Sequence, residues 1–476
     1  MTTLTPSTIT APQLTIDGRV CGSSRHLAVI DPSTGAPFIQ VPAATPAQLD
    51  EAVAAATAAF PAWRATPLGD RQALVGRLGE VVRAHLDELA LMVTMEQGKP
   101  LANARGEIGA ALRQVDFFTG VSIETEVVRD DEAARVEVRR EPLGVVGAIT
   151  VWNYPVLTAM FKLVPALVAG NTVIVKPSPF TPVAVLRLGE LFQDVLPPGV
   201  LQVLAGDDDL GRALAEHPGI RKISFTGSVP TGKKVMASAS GTLKRVTLEL
   251  GGNDAGIVLD DVDPAAVGAD LFWAGFSNGG QVCAALKRLY VPESRFDAIC
   301  EAIAAEAATV VVGPGLQEGV KAGPVQNKPQ LDRVRELTEG ALAAGGEAFH
   351  TGEIPDGPGY WFPTTLIRGV AEGVPLVDEE PFGPVMPILT YRDVDEAVTR
   401  ANDTEYGLGA SVWSTDLDRA TAVAERLEAG SVWVNQHPVV TATVPFGGAK
   451  QSGIGVESSL HGLLEYTAIK VINVKR

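Results

Sequence analysis

The chain has 476 residues, 46% apolar and 20% charged, a size and balance that suit two or three globular cores. Its 39 basic and 56 acidic side chains leave a net charge of −17, which argues against a face built to neutralise nucleic acid. Three cysteines (Cys21, Cys283, Cys300) are too few for a disulfide framework or zinc cluster, and the six histidines show no close pair at ligand spacing. A reducing, cytoplasmic setting and no catalytic metal are expected.

In chain order, the opening MTTLTPSTITAPQ has neither the basic nor the apolar segment of a leader and reads as a mobile tail. Thr45-Pro46-Ala47-Gln48 predicts a capping box with proline at the first helical position, opening a helix that runs to Phe60. Apolar spacing of three and four predicts further helices over 68–86, 87–97 and 103–117. From Val145 the period changes. Apolar, β-branched runs at 145–151, 172–176, 200–205, 222–226, 246–250 and 256–260 alternate with helical patterns, which predicts a parallel, doubly wound sheet with ligands beyond its carboxyl edge. The stretch 145–175 is apolar but broken by Asn153, Lys162, Asn171 and two prolines, so it reads as core and not a membrane span. A second α/β series follows Pro264, with helices predicted at 264–276, 294–310, 329–344, 393–402 and 416–429. Its strands are predicted near 287–291, 385–391, 409–414 and 431–435. The closing EYTAIKVINVKR is an edge strand that predicts subunit association, with the ribbon 136–141 as a matching partner.

Four places can carry chemistry. FTGSVPTGKK (225–234) nearly matches the phosphate loop G-x-x-x-x-G-K-[ST], but Lys234 stands where a magnesium-binding hydroxyl belongs. Its glycines still let backbone amides reach a phosphate at a helix start. Cys283, in FSNGGQVCAALKR, follows two glycines, and main-chain amides with Lys287 and Arg288 would favour its thiolate; the alternative is a small buried hydrophobe, the reading given to Cys300. Glu249 ends an apolar strand ahead of two glycines and is either a buried ion-pair partner or a base with a raised pKa. Asn153 in TVWNYP either donates to an oxyanion or forms a turn.

Eight motifs stand in order: VWNYP (151–155), KPSP (176–179), FTGSVPTG (225–232), LELGG (248–252), GQVC (280–283), EEPFGPV (379–385), YGLGASVW (406–413) and PFGGAKQSGIG (445–455). From about residue 15 onward the chain resembles the NAD(P)-dependent aldehyde dehydrogenase superfamily. The resemblance implies two doubly wound, Rossmann-like α/β domains and a small β ribbon. Residues 1–118 and 143–250 would bind NAD(P), 251–447 would carry the nucleophile, and 119–142 with 460–476 would form the ribbon of a homodimer or homotetramer. It implies Cys283 as nucleophile, Asn153 and the Cys283 amide as oxyanion donors, and Glu249 as the base that activates water. It places Lys176 on the adenine-side ribose, Gly227 and Ser228 on the pyrophosphate, Thr231 near the adenine and Gly206 in the adenosine pocket. Glu380 would hold the nicotinamide ribose and Phe382 the ring, with Ile149, Trp152, Ser178, Pro179, Phe225 and Leu250 completing the cofactor set.

Two positions depart from the pattern. Pro179 stands where NAD-preferring members often carry glutamate, which leaves NAD as first expectation and NADP as a second acceptor; Val151 replaces a common proline. By position in the motifs, Tyr154, Leu157, Thr158, Phe161, Val282, Ala284, Gln436 and His437 would line the aldehyde tunnel. That lining is mostly apolar and without arginine, so the expected substrate is a medium-sized aliphatic or aromatic aldehyde, with no nucleic-acid or membrane partner. The alternatives are a CoA-acylating aldehyde dehydrogenase, disfavoured by Glu249, and a P-loop phosphotransferase, disfavoured by the missing hydroxyl.

Overall fold

The computed structural model describes residues 5–476. Four helices, Pro46–Ala65, Leu68–Ala84, Leu86–Gln97 and Leu101–Phe118, form the predicted N-terminal helical layer. The capping box is present: Thr45 Oγ1 accepts from the Gln48 amide at 3.3 Å, and Gln48 Oε1 accepts from the Thr45 amide at 3.0 Å. The first helix continues past Phe60 and through Pro61, because buried Trp63 anchors its last turn. Of the predicted mobile tail, residues 1–4 lie outside the described residues. The remainder does not float: it lies against Glu88 and Arg187, and the Gln13 amide donates to Glu190 at 2.8 Å.

Five strands form the parallel core of an eight-stranded sheet, in the order Arg245–Glu249, Lys222–Thr226, Val145–Ile149, Thr172–Lys176, Leu201–Val203. The three central strands are buried along their whole length, which is why apolar and β-branched residues dominate them. The strand order reverses between Val145–Ile149 and Lys222–Thr226, so the crevice of the sheet opens beyond Ile149 and Thr226. A seven-stranded sheet carries the second series, in the order Glu347–Thr351, Thr365–Arg368, Val385–Tyr391, Leu286–Pro292, Asp254–Val258, Gly409–Trp413, Ser431–Val434. Its first pair is antiparallel and the rest parallel.

The C-terminal strand Thr467–Lys475 pairs antiparallel with Ala134–Pro142 of the same chain, from Thr467 opposite Pro142 to Lys475 opposite Ala134. That partner is the predicted ribbon, found in cis. The strand keeps its other edge open and exposes Ile469, Val471 and Val474. No helix among the described residues is long and apolar enough to cross a membrane.

Candidate active site

Three segments converge where the two large sheets meet. The first is the loop of the candidate nucleophile. After the helix Pro264–Phe276, Asn278, Gly279 and Gly280 all take left-handed φ, of 52°, 64° and 71°. Gly280 is obligatory, since a Cβ there would lie 2.2 Å from the Gly383 carbonyl oxygen. Gln281 pins the turn by accepting from the Gln326 amide at 2.8 Å and donating to the Asn278 carbonyl at 2.9 Å. Cys283 follows, half-buried on the wall of a cavity of about 600 Å³.

The second segment carries Asn153, just beyond the strand Val145–Ile149. Its Nδ2 donates to the Gln281 carbonyl at 2.8 Å, tying the candidate oxyanion donor to the Cys283 loop. Its own carbonyl accepts from Lys99 Nζ at 2.8 Å. Lys99 in turn pairs with Glu107 at 2.7 Å, and Glu107 Oε1 accepts from the amides of Val156 and Leu157 at the start of the helix Pro155–Val168. The sequence offers no sign of this buried support.

Glu249 forms the third segment, at the end of its strand. It is buried, and its Oε1 has no partner among the described residues. Burial, then the charge of Glu457, push its pKa up to about 8, while Lys162 and a hydrogen bond with the Cys283 thiol act the other way. Glu457 is itself held by buried Lys162. The expectation that Lys287 and Arg288 would favour a Cys283 thiolate holds only for the Lys287 charge, which is outweighed. Burial and then the Glu249 charge push the thiol well above its ordinary value. Arg288 is occupied by the carbonyls of Asn253 and Ala401. Lys287 Nζ instead clamps three pieces together: the Cys283 carbonyl at 2.5 Å, the Gly252 carbonyl at 2.9 Å and Glu380 Oε1 at 2.8 Å.

Val151, Trp152, Thr226, Gly227 and Ser228 line both this cavity and a second one of about 750 Å³, so the two abut at the reversal of strand order. Of the expected cofactor residues, Ile149, Lys176, Ser178, Pro179, Phe225 and Thr231 line the second cavity together with those shared. Glu380 and Phe382 line the first, Phe382 meeting Trp152 edge-to-face at 5.2 Å. Gly206 and Leu250 line neither; Gly206 is packed against Leu210, and Leu250 against Gly232. The helix Val229–Ser240 starts at the junction, where the glycine turn led a helix to be expected, and its start has no side-chain cap. Of the two lysines in that motif, Lys234 faces the second cavity.

On the substrate side, Tyr154, Leu157, Thr158 and Phe161 form one helix face of the cavity, with Val282 and Ala284 beside Cys283. Gln436 and His437 are not at its mouth. Gln436 is exposed, and the His437 ring turns inward against Trp433 at 4.9 Å, with Nε2 3.7 Å from Asp254 Oδ2. Burial takes its pKa down to about 3, so the ring is neutral. The loop after strand Ser431–Val434 turns sharply at Asn435, at φ 55°, and presents Pro438, Val440, Thr441 and Ala442 to the cavity instead. Ala110, Arg113 and Gln114 of the helix Leu101–Phe118 also line it, as does Gln330, whose Nε2 holds the Pro381 carbonyl at 2.8 Å. No cluster of three or more metal-ligating side chains occurs among the described residues.

Residues 20–472 match the profile of the aldehyde dehydrogenase family. A probable aldehyde dehydrogenase of a Pseudomonas species is 42% identical over 97% of this chain and 94% of its own length. The NAD+ complex of an aldehyde dehydrogenase from Bacillus cereus superposes with a TM-score of 0.95 at 32% identity, covering 98% of this chain and 97% of that one. An NADP-dependent enzyme of E. coli superposes equally, at a TM-score of 0.95 and 34% identity, covering 98% of each chain. With the fold, the motif order and these likenesses in agreement, the chain belongs to the aldehyde dehydrogenase family.

Proposed function

We propose that this protein oxidises an aldehyde to a carboxylic acid at Cys283, with NAD as the preferred acceptor and NADP as a second. The observation that carries the reading is the convergence of a thiol, a buried carboxylate with a free oxygen and an anchored side-chain amide on a cavity that abuts a second, nucleotide-sized one. Orphaned buried hydroxyls of Thr150 and Thr226, and the uncapped helix start at Ser228, suit the second cavity to a phosphate-bearing dinucleotide. Pro179 supplies no acid at the adenosine end, but Asp208 and Asp209 line the same cavity. Lys176 there is moved down to about 8 by burial. Residues 1–118 with 143–250 are read as the cofactor half and 251–447 as the catalytic half.

In the resting site the Cys283 thiol is protonated, and Glu249 in its ionised form, which grows as pH approaches about 8, takes that proton as sulfur attacks the aldehyde carbon. Asn153 Nδ2 and the Cys283 amide meet the oxyanion of the resulting thiohemiacetal, each donor worth about 3–4 kcal/mol in comparable sites. A nicotinamide held beside Trp152, Glu380 and Phe382 would supply the two-electron acceptor for this adduct, whose oxidised form is the Cys283 thioester. Once it has passed the thiol proton to solvent through the cavity, Glu249 is ionised again and draws a proton from water as the water attacks the thioester carbon. The acyl–sulfur bond breaks, the acid leaves, and the Cys283 sulfur takes the proton back from Glu249. The open strand Thr467–Lys475, with its exposed apolar side chains, supports a homodimer or homotetramer, and three free cysteines fit a reducing cytoplasm. The test is NAD reduction across an aldehyde panel, with Cys283→Ala as control. Turnover should vanish in the variant, and equal rates in both proteins would sink the assignment.

A further inference from the structure

We propose that the substrate carries a hydroxyl at the end remote from its aldehyde, and that Gln114 recognises it. This rests on the aldehyde-oxidising reading above and deepens it.

The helix Leu101–Phe118 presents Ala110, Arg113 and Gln114 to the cavity at spacings of three and four, so they share one face. Gln114 is 2% exposed, and its Oε1 has no hydrogen-bond partner among the described residues. A buried amide oxygen without a partner is costly, and structures normally satisfy it. No protein group among the described residues does so here. Leu157, Phe161, Val440 and Phe446 are apolar, and the Thr158 hydroxyl already donates to the Tyr154 carbonyl at 2.8 Å. A ligand group is the remaining source.

The position of Gln114 sets how far that group stands from the reacting carbon. Glu107, on the same helix, binds the amides of Val156 and Leu157 beside Asn153, so it marks the catalytic end. Gln114 lies two turns further on, roughly 10 Å along the helix axis. The apolar face of Leu157 and Phe161 lies on the wall alongside. It suits an aromatic ring or a straight chain between the two polar ends. A hydroxyl both donates and accepts, so it satisfies an amide in either orientation. A carboxylate would need a buried cation, and Arg113 is exposed while Arg333 is held by Glu336 and Glu379. An ammonium would meet Arg113 as a like charge.

The experiment compares kcat/KM for para-hydroxybenzaldehyde, para-hydroxyphenylacetaldehyde and para-hydroxyphenylpropanal, each against its deoxy partner. Wild type should favour the hydroxylated member by about tenfold or more, most clearly for the longer pairs, because an amide left unpaired by the deoxy analogue is penalised. In Gln114→Leu and Gln114→Met the ratio should fall close to one. The affinities of the corresponding product acids for Cys283→Ala protein should show the same ratio without turnover. A wild-type ratio near one, or a ratio that survives both substitutions, overturns the proposal. So does a preference for para-carboxybenzaldehyde that Arg113→Ala abolishes. If no aldehyde is oxidised but the hydroxylated acids still bind about tenfold tighter, the catalytic reading fails and the recognition by Gln114 stands.

Discussion

Glu107 and Glu249 are both buried carboxylates in contact with the catalytic loops, and they differ in how their oxygens are used. Glu107 takes the Lys99 ammonium on one oxygen and two helix-start amides on the other. Among the described residues Glu249 has no ion-pair partner, and its Oε1 is buried without a hydrogen bond. A fully partnered buried acid holds shape, because every direction in which it accepts is filled. One with an open lone pair, and a pKa lifted toward neutrality by burial, is free to take a proton. The same residue type thus braces the site in one place and is the proposed base in the other.

Mutating both residues is the sharpest way to break this contrast. Glu249→Gln should slow turnover by about 10²–10⁴-fold and leave urea stability unchanged or raised. Glu107→Gln should cost about 3–5 kcal/mol in the same unfolding experiment, because it strands the Lys99 charge in the interior. Equal stability losses would erase the distinction. Asn153→Ala comes next, with kcat expected to fall by about 10²–10³-fold and KM to change little, since the amide serves a charge that develops only during reaction.

The pH dependence is smaller but separates the two acids further. Below the ordinary carboxylate range, both native and unfolded chains hold the Glu249 proton. Between that range and about 8 only the native chain holds it, so this group makes native stability fall as pH rises through that window, and it is flat above. Subtracting the Tm profile of Glu249→Gln from that of wild type should isolate this slope, while thioester hydrolysis should rise with pH toward a plateau above about 8. No difference in slope would place Glu249 among the merely structural acids. The mildest expected effect is at the adenosine end, where Pro179→Glu should raise the ratio of NAD to NADP kcat/KM by about tenfold through repulsion of the 2′-phosphate.

The core was legible because burial on both faces leaves a simple trace. The strands at 145–149, 172–176 and 222–226 contain runs of apolar and β-branched side chains, and the turns after them carry the motifs. Strands that are partly exposed or only four residues long left no such trace. Arg25–Asp31, Glu347–Thr351 and Thr365–Arg368 were not foreseen, because their alternation is weak and their pairing is tertiary. Cys283, Glu249 and Asn153 could be picked out from flanking glycines and strand ends. Their support could not, since Lys99 and Glu107 are ordinary helix-region residues until the helix Pro155–Val168 is laid over them. His437 was misplaced because motif order says which loop approaches the site and not which way a side chain turns. Gln114 was missed for the opposite reason: on a helix, the face turned to a cavity and the face turned to a neighbour carry the same period.

The close approach at Gly280 reaches beyond local geometry. A side chain at Gly280 would strike the Gly383 carbonyl, and one at Gly383 would strike Val334 at 2.4 Å. Gly383 directly follows Phe382 and lies three residues beyond Glu380. The loop that carries the sulfur and the loop expected to carry the nicotinamide therefore cannot drift independently through sequence space. Any lineage that enlarges one must first have moved the other, so the two are inherited as a single unit while the tunnel walls remain free to diversify.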